Sequence, residues 1–216
     1  MTKVRFRTVI LDVDSTLSRI EGIEWLARKR GPDVFARIND VTERAMRGEL
    51  EFDGVYAARL DVVRPTREEI AQLGQAYIDN IAPGAAEAVS KLKEAGVRVL
   101  IVSGGLREPV MHLAAHLGIP AEDVHAVGIN FDEKGEYAGY EIDHPCSRQF
   151  GKRTVISALE LEPPSLLVGD GMTDAEVKPV VDAFAAFTGA VRREKILALA
   201  DFEITAFSQL FDHITA

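Results

Sequence analysis

The sequence predicts an α/β protein in which a helical cap domain is inserted into a doubly wound parallel-sheet, Rossmann-like core. Short apolar runs at residues 9–11, 97–102 and 166–168 lack polar alternation, which is typical of strands buried on both faces. Stretches of helical periodicity separate these runs. Polar residues follow each run directly, and the carboxyl ends of parallel strands share one edge of a sheet. A functional site is therefore predicted where the three polar endings meet.

The composition is that of a globular protein with a substantial core. Its 216 residues are 47% hydrophobic and 27% charged, and the net charge of −9 disfavours nucleic acid and anionic membranes as partners. The single cysteine, Cys146, excludes an internal disulfide and a cysteine-rich zinc site, and it suits a reducing compartment. We find no signal peptide and no apolar run near the roughly 20 residues of a membrane span, so we expect a cytoplasmic protein. No pattern predicts an oligomeric state.

Helical spacing of apolar residues dominates residues 18–81, where strand signals are few. Three apolar stripes precede a capping-box pattern at Thr66 and Glu69, which opens a fourth helix. A simple connection between parallel strands needs far fewer residues than this segment contains. We therefore interpret the segment as a helical cap domain, called the helical insert below. The core is predicted to comprise residues 1–17 and 82–216.

Beyond the insert, strands and helices alternate along the chain. The alternation predicts a parallel sheet with right-handed crossovers. Helices are predicted at residues 85–95, 108–117, 152–161, from about 173, and 192–200. Strands are predicted at residues 97–102, 124–129, 166–168, 183–187 and 202–205, with a hairpin that turns at 132–135 and returns over 136–142.

Two aspartates, Asp12 and Asp170, end buried strands and would meet if those strands are neighbours. Carboxylate oxygens are ligands that Mg²⁺ prefers, and the backbone carbonyl of Asp14 offers another. Asp174, one helical turn after Asp170, is placed either to orient a metal-bound water or to hold Lys152. The sequence therefore predicts a Mg²⁺ site at this edge of the sheet.

Groups suited to a phosphate follow the second strand and begin a later helix. Ser103 and the amides of Gly104 and Gly105 resemble an anion cradle, and Lys152 adds a compact cation. Together with a metal, these are the parts that phosphoryl transfer requires. Taken alone, each short motif is typical of an ordinary turn or a solvated helix, so the prediction depends on their order after successive strands.

Two nucleophiles remain open from the residues alone. One is a metal-activated water, and the other is a carboxylate that forms an aspartyl phosphate. Asp12 is the better attacker because it lies deepest on the strand, nearest the metal. Asp14 is then placed to protonate the leaving oxygen and later to deprotonate the attacking water.

The chain resembles the haloacid dehalogenase-like superfamily of aspartyl-phosphate phosphatases. Four motifs carry the resemblance and occur in the family's order over nearly the whole chain. They are Asp12-Val13-Asp14-Ser15-Thr16, Ser103-Gly104-Gly105, Lys152, and Gly169-Asp170-Gly171-Met172-Thr173-Asp174. Within the superfamily, the first motif and the helical cap resemble the phosphatases that hydrolyse O-phospho-L-serine in serine biosynthesis.

The resemblance implies a role for each matching residue of the core. It implies that Asp12 is the nucleophile and Asp14 the proton donor. Asp12, the Asp14 carbonyl and Asp170 would bind Mg²⁺. The implied phosphate ligands are Ser103, Gly104 and Lys152, to which the hydroxyl of Thr173 adds a donor where some members have Asn.

The resemblance also implies how the insert selects a substrate. Glu21 would receive the substrate ammonium and Arg59 its carboxylate, while Met46 and Phe52 would line the pocket. A carboxylate and a bidentate guanidinium are natural complements of an amino-acid head group. Because water must be excluded during phosphoryl transfer, we expect the insert to open and close about hinges near residues 17–18 and 81–84.

Several functions stay open at the level of sequence. The same chemistry could act on another small phosphomonoester, or transfer phosphate to an acceptor other than water. A non-catalytic domain phosphorylated on Asp12 is an alternative of another class, but the retained Asp14 and the cap argue against it. An open-sheet nucleotide-binding protein is disfavoured because neither G-x-G-x-x-G after the first strand nor G-x-x-x-x-G-K-[ST] is present.

Overall fold

A six-stranded parallel sheet forms the centre of the computed structural model, which describes residues 5–47, 49–50 and 54–214. The strand order is β3-β2-β1-β6-β7-β8, so the first strand lies inside the sheet. Helices flank this sheet, and a separate two-stranded antiparallel sheet pairs β4 with β5. The strands are β1 (Thr8–Leu11), β2 (Arg98–Leu106), β3 (Val124–Val127), β4 (Ile129–Phe131), β5 (Tyr137–Tyr140), β6 (Ser165–Gly169), β7 (Ala183–Phe187) and β8 (Phe202–Ile204).

The helices lie between these strands and after the last one, as the sequence predicts for an α/β fold. Within the described residues, four of them follow one another between β1 and the first helix of the returning core. The helices are α1 (Gly22–Arg28), α2 (Pro32–Met46), α3 (Val55–Val63), α4 (Arg67–Asp79), α5 (Ala85–Glu94), α6 (Arg107–His116), α7 (Gly151–Ala158), α8 (Met172–Ala175), α9 (Glu194–Leu197) and α10 (Leu210–Ile214). Among the described residues, no helix is both long and apolar enough to cross a membrane.

The central strand positions the site. Every residue of β1 is buried, as expected for an uninterrupted apolar strand with β2 on one side and β6 on the other. Leu11 pairs with Val168 of β6, and the amide of Asp12 extends this ladder to the Val168 carbonyl at 3.0 Å. The strands that carry Asp12 and Asp170 are therefore neighbours, which is the condition under which the two carboxylates meet.

The helical insert leaves the core and rejoins it at neighbouring points. Ser18 and Ile81 form an antiparallel bridge, and the Ala82 amide donates to the Leu17 carbonyl at 2.9 Å. The predicted capping box of α4 is present, because Thr66 and Glu69 exchange side-chain and backbone hydrogen bonds. The two connections thus lie side by side, where the sequence predicts hinges.

Three predicted elements differ from those observed. The strand predicted at 124–129 divides at Gly128 into β3 of the main sheet and β4 of the hairpin. The residues before Gly128 pair with β2, whereas those after it pair with β5, and the Gly128 carbonyl accepts a hydrogen bond from the Glu141 amide at 2.8 Å. The strand predicted to end before Ser103 instead continues as β2 to Leu106, with a register shift after Val102. The helix predicted at 192–200 is the short α9, because Arg193 is extended and residues 198–200 form turns and a bend.

Candidate active site

The loop after β1 is a single wide turn, Val13–Leu17, that points Asp12 and Asp14 in different directions. Ser15 adopts a left-handed conformation, with φ of 52°, and the Leu17 amide closes the turn on the Asp12 carbonyl at 3.3 Å. The Asp14 carboxylate faces the insert, where its Oδ1 accepts hydrogen bonds from the Gly22 amide at 2.8 Å and the Tyr77 hydroxyl at 2.6 Å.

Asp12 forms a buried charge cluster with Lys152 and Asp174. The Lys152 ammonium lies 2.7 Å from an oxygen of each carboxylate, and all three side chains are at most 7% exposed. Burial and the nearby Asp174 carboxylate hold the pKa of Asp12 well above its usual range, although Lys152 opposes this. Burial alone would lower the pKa of Lys152, but the two carboxylates hold it above its usual value, so it stays charged.

Asp170 ends β6 beside Asp12 and contacts a second buried cation. Arg193, in the segment after β7, pairs through its guanidinium with Asp170 and reaches Glu43 of the insert at 3.0 Å. The Thr16 hydroxyl donates to Asp170 at 3.3 Å. Burial raises the pKa of Asp170 to about 6, and Arg193 limits this rise.

The carboxylates of Asp12, Asp170 and Asp174 form a cluster that fits a hard cation. One oxygen of each lies within 4.8 Å of the others, and all three side chains are buried. Crowded, desolvated carboxylates repel one another, and a divalent cation would relieve that repulsion. Asp174 is also committed to other partners, because its oxygens accept from Lys152 at 2.7 Å and from the Gly171 amide at 3.1 Å. Asp12 and Asp170 each pair with a cation as well, Lys152 and Arg193, so all three carboxylates are candidate ligands.

The residues expected to bind phosphate, Ser103, Gly104 and Gly105, lie in the last part of β2. The buried Ser103 hydroxyl accepts a hydrogen bond from the Gly105 amide at 3.0 Å. A Cβ at Gly105 would lie 3.1 Å from Asp14 Oδ2, so glycine lets the acidic loop approach this strand closely. The strand therefore brings its small residues next to the Asp14 carboxylate.

The insert contributes two carboxylates that lie one helical turn apart, of which Glu24 is buried and Glu21 half-buried. Glu21 accepts a hydrogen bond from the Ser15 hydroxyl at 2.6 Å, and burial together with Asp14 and Glu24 holds its pKa well above its usual range. Burial also raises the pKa of Glu24 to about 7, although Arg59 opposes this. The Arg59 guanidinium lies 3.6 Å from Glu24 and donates to the Thr42 hydroxyl at 2.7 Å.

These groups meet in one narrow cavity between the sheet edge and the insert. About 30 Å³ of it is open to the centre of a water molecule, which leaves room for only a few waters. The residues expected in the site that line it are Asp12, Asp14, Glu21, Met46, Arg59, Gly104, Lys152, Asp170 and Thr173. Ser103, Gly105 and Asp174 do not line it but contact residues that do. Phe52 lies outside the described residues.

Sequence reasoning did not single out several residues that contact the site. Glu24 follows Glu21 at the helical spacing that places both on one face, which was an available signal. Tyr77 and Arg193 gave no such signal in the sequence, because tertiary packing brings them to the site from α4 and from the loop after β7. Cys146 also lines the cavity, but burial raises the pKa of its thiol to about 12, so it stays a neutral thiol.

Known proteins resemble this chain in sequence and in fold. The chain is 38% identical to the phosphoserine phosphatase of Rattus norvegicus over 209 residues, which cover 95% of this chain and 92% of that protein. It is 32% identical to the chloroplastic phosphoserine phosphatase of Arabidopsis thaliana, over 95% of this chain and 71% of that protein. A crystal structure of a phosphoserine phosphohydrolase-like protein from Francisella tularensis is 26% identical, with a TM-score of 0.87 over 96% of this chain and 99% of that one. Residues 6–177 match the haloacid dehalogenase-like hydrolase family, and the chain belongs to it.

Proposed function

We propose that this hydrolase converts O-phospho-L-serine to L-serine and phosphate through an aspartyl phosphate on Asp12, with Mg²⁺ as its cofactor. One observation carries the proposal. A single cavity joins the Asp12–Lys152 pair of the sheet edge to Glu21 and Arg59 of the helical insert. The first pair suits a phosphate, and the second suits an ammonium and a carboxylate. The names of the relatives support the same substrate.

In the proposed first half-reaction, an oxygen of the Asp12 carboxylate attacks phosphorus. A bond forms between Asp12 and phosphorus while the bond from phosphorus to the serine oxygen breaks, and the Asp14 carboxyl group gives that oxygen a proton. The charge on the phosphoryl oxygens would be stabilised by Lys152, Ser103, Thr173 and the region of Gly104 and Gly105. Free L-serine leaves, and Asp12 carries the phosphoryl group.

In the second half-reaction, water attacks the same phosphorus atom. Asp14, now a carboxylate, takes a proton from that water, and the bond from phosphorus to Asp12 breaks. Phosphate leaves, and both aspartates return to their starting states. Asp12, Asp170 and the Asp14 carbonyl would hold Mg²⁺, which when bound supplies positive charge beside the attacking carboxylate and the phosphate.

We also propose that the insert acts as a lid. The cavity is too small for phosphoserine, so substrate binding would require the insert to move away from the sheet edge. The paired connections at Leu17–Ser18 and Ile81–Ala82 are the proposed hinges. The buried, neutral thiol of Cys146 is consistent with the cytoplasmic location that we propose.

A substrate panel tests the proposed function. We expect kcat/KM for O-phospho-L-serine to exceed that for phosphoethanolamine, which lacks the carboxylate, and that for p-nitrophenyl phosphate, which lacks the whole head group. Each missing charged contact should cost about tenfold or more. Activity should require Mg²⁺ and disappear with a chelator. Turnover of phosphoserine no faster than that of the aryl phosphate would reject phosphoserine as the substrate.

A further inference from the structure

The Asp14 carboxylate is held through one of its two oxygens. The Tyr77 hydroxyl donates to Oδ1 at 2.6 Å, and the Gly22 amide donates to the same atom at 2.8 Å. The other oxygen, Oδ2, lies next to the small residues at the end of β2, because a Cβ built on Gly105 would be 3.1 Å from it. The two donors therefore hold Oδ1 against the insert and leave Oδ2 on the side of β2.

The Tyr77 hydroxyl occupies space that a side chain at position 22 would fill. A Cβ at Gly22 would lie 2.2 Å from the Tyr77 Oη atom, so the hydroxyl reaches Asp14 only because residue 22 is glycine. Gly22 has no positive φ, so its conformation alone does not require glycine. Tyr77 itself is fully buried, and a buried tyrosine hydroxyl is costly to place without a partner.

We propose that Tyr77 is a positioning residue for catalysis, which together with the Gly22 amide holds Asp14 so that Oδ2 meets the leaving oxygen of the substrate. The proposal rests on the proposed role of Asp14 as proton donor. Tyr77 lies in α4, about sixty positions after Asp14, and its hydroxyl would help to orient the group that protonates the leaving oxygen.

Both donors belong to the helical insert, at its two ends. Gly22 begins α1, and Tyr77 lies in the last turn of α4. The Ser18 hydroxyl donates to the Tyr77 carbonyl at 3.2 Å, which links this part of α4 to the outgoing connection. Asp14 is therefore oriented for proton transfer only when the insert is closed on the core, so that closure and protonation are coupled.

A comparison of leaving groups tests the role of Tyr77. An alkoxide leaves poorly without a proton, whereas p-nitrophenolate leaves unaided, so a misplaced acid slows alkyl phosphates selectively. Because kcat/KM reports only the steps up to release of the alcohol, it isolates the first half-reaction. In Tyr77→Phe we expect kcat/KM to fall about tenfold or more for O-phospho-L-serine and phosphoethanolamine, and less than about threefold for p-nitrophenyl phosphate.

Tyr137→Phe is the matched control, because it removes a tyrosine hydroxyl from the hairpin, where the ring packs 5.2 Å from the Arg64 guanidinium. It should leave the ratio of alkyl to aryl kcat/KM unchanged. Melting temperatures of both variants near that of the wild type would exclude unfolding as the cause. An equal loss on alkyl and aryl substrates in Tyr77→Phe, or no loss on either, would overturn the proposal.

Gly22→Ala provides an independent second variant. The new methyl group should displace the Tyr77 hydroxyl, so the alkyl-selective loss should recur. The double variant with Tyr77→Phe removes the 2.2 Å contact with the hydroxyl, leaves the ring carbon at 3.1 Å and Leu73 at 3.2 Å, and should lose little more than Tyr77→Phe alone. Additive losses would contradict a shared role. If the wild type does not prefer phosphoserine, phosphoserine is rejected as the substrate. The ratio of kcat/KM for phosphoethanolamine to kcat/KM for p-nitrophenyl phosphate still tests the role of Tyr77.

Discussion

The sheet edge and the helical insert hold their buried charges in different ways. At the sheet edge, Lys152 lies between Asp12 and Asp174 at 2.7 Å from each, so opposite charges alternate. In the insert, Glu21 is bound by the neutral Ser15 hydroxyl, and its charged neighbours that raise its pKa are carboxylates. The sheet edge is thus largely assembled before substrate binds, whereas the insert presents an acid whose charge an incoming ammonium would stabilise.

The largest expected effect comes from the sheet edge. Asp12→Asn removes the proposed nucleophile and should lower kcat on the order of 10⁴-fold or more. The fold should survive, because burial already disfavours the charge at this position, and the melting temperature should be at or above that of the wild type. Steady hydrolysis by a folded Asp12→Asn protein would contradict the covalent mechanism.

Removal of the Lys152 ammonium should leave the carboxylates at the sheet edge without a balancing positive charge. Lys152→Met leaves Asp12 and Asp174 buried without their shared partner, so the free energy of unfolding should fall by about 3 kcal/mol or more in urea titrations. Lys178→Met is the matched control, since its pair with Asp201 is about 40% exposed and should be worth less than about 1 kcal/mol. Equal losses in the two variants would mean that burial does not distinguish these pairs.

The buried carboxyl group of Glu24, beside Arg59 in the insert, should appear in the pH dependence of stability. Burial raises the pKa of Glu24 to about 7, so the folded protein binds this proton more tightly than the unfolded chain does. That contribution is complete below about pH 4.5 and is lost as the pH rises through about 7. Relative to the wild type, Glu24→Gln should therefore gain stability between pH 5 and pH 8, by as much as about 3 kcal/mol.

Thermal unfolding of both proteins across this pH range checks the prediction. The other titrating groups are common to the two chains, so the difference between their stability curves isolates Glu24. A constant difference from pH 5 to pH 8 would show that Glu24 does not titrate there.

The smallest expected effect lies at the contact between the two regions. Glu43 of the insert pairs with Arg193 at 3.0 Å, but the Glu43 side chain is 30% exposed. Glu43→Gln should therefore cost less than about 1 kcal/mol and change kcat by less than about threefold. If the melting temperature fell as much as in Lys152→Met, the Glu43–Arg193 contact would contribute as much to stability as the buried ion pairs do.

The sequence predicted the sheet edge better than the insert, for a physical reason. Asp12 and Asp170 follow strands directly and Ser103 lies in the last part of β2, and the backbone of a parallel sheet fixes the relative positions of its strand ends. The hydrophobic run before each motif was therefore enough to predict that they meet. The split of the 124–129 strand was missed because the apolar run is continuous in sequence, while its two halves pair with different strands, β2 and β5.

In the insert, contacts depend on how helices pack. The expectation that Glu21 and Arg59 share a cavity agrees with the geometry, but the Arg59 contacts with Glu24 and Thr42 come from three different helices. Local periodicity shows which face of a helix is apolar, and not which residue of another helix lies opposite. Tyr77 was missed for the same reason.

The central claim is that the sheet edge performs the reaction while the insert selects the substrate. The most direct test is kcat/KM of Arg59→Lys for O-phospho-L-serine and for p-nitrophenyl phosphate, measured beside the wild type. Lysine keeps the charge next to Glu24 but loses the bidentate fork, so phosphoserine should lose about tenfold or more, and the aryl phosphate less than about threefold. Equal losses on both substrates would contradict the division of roles.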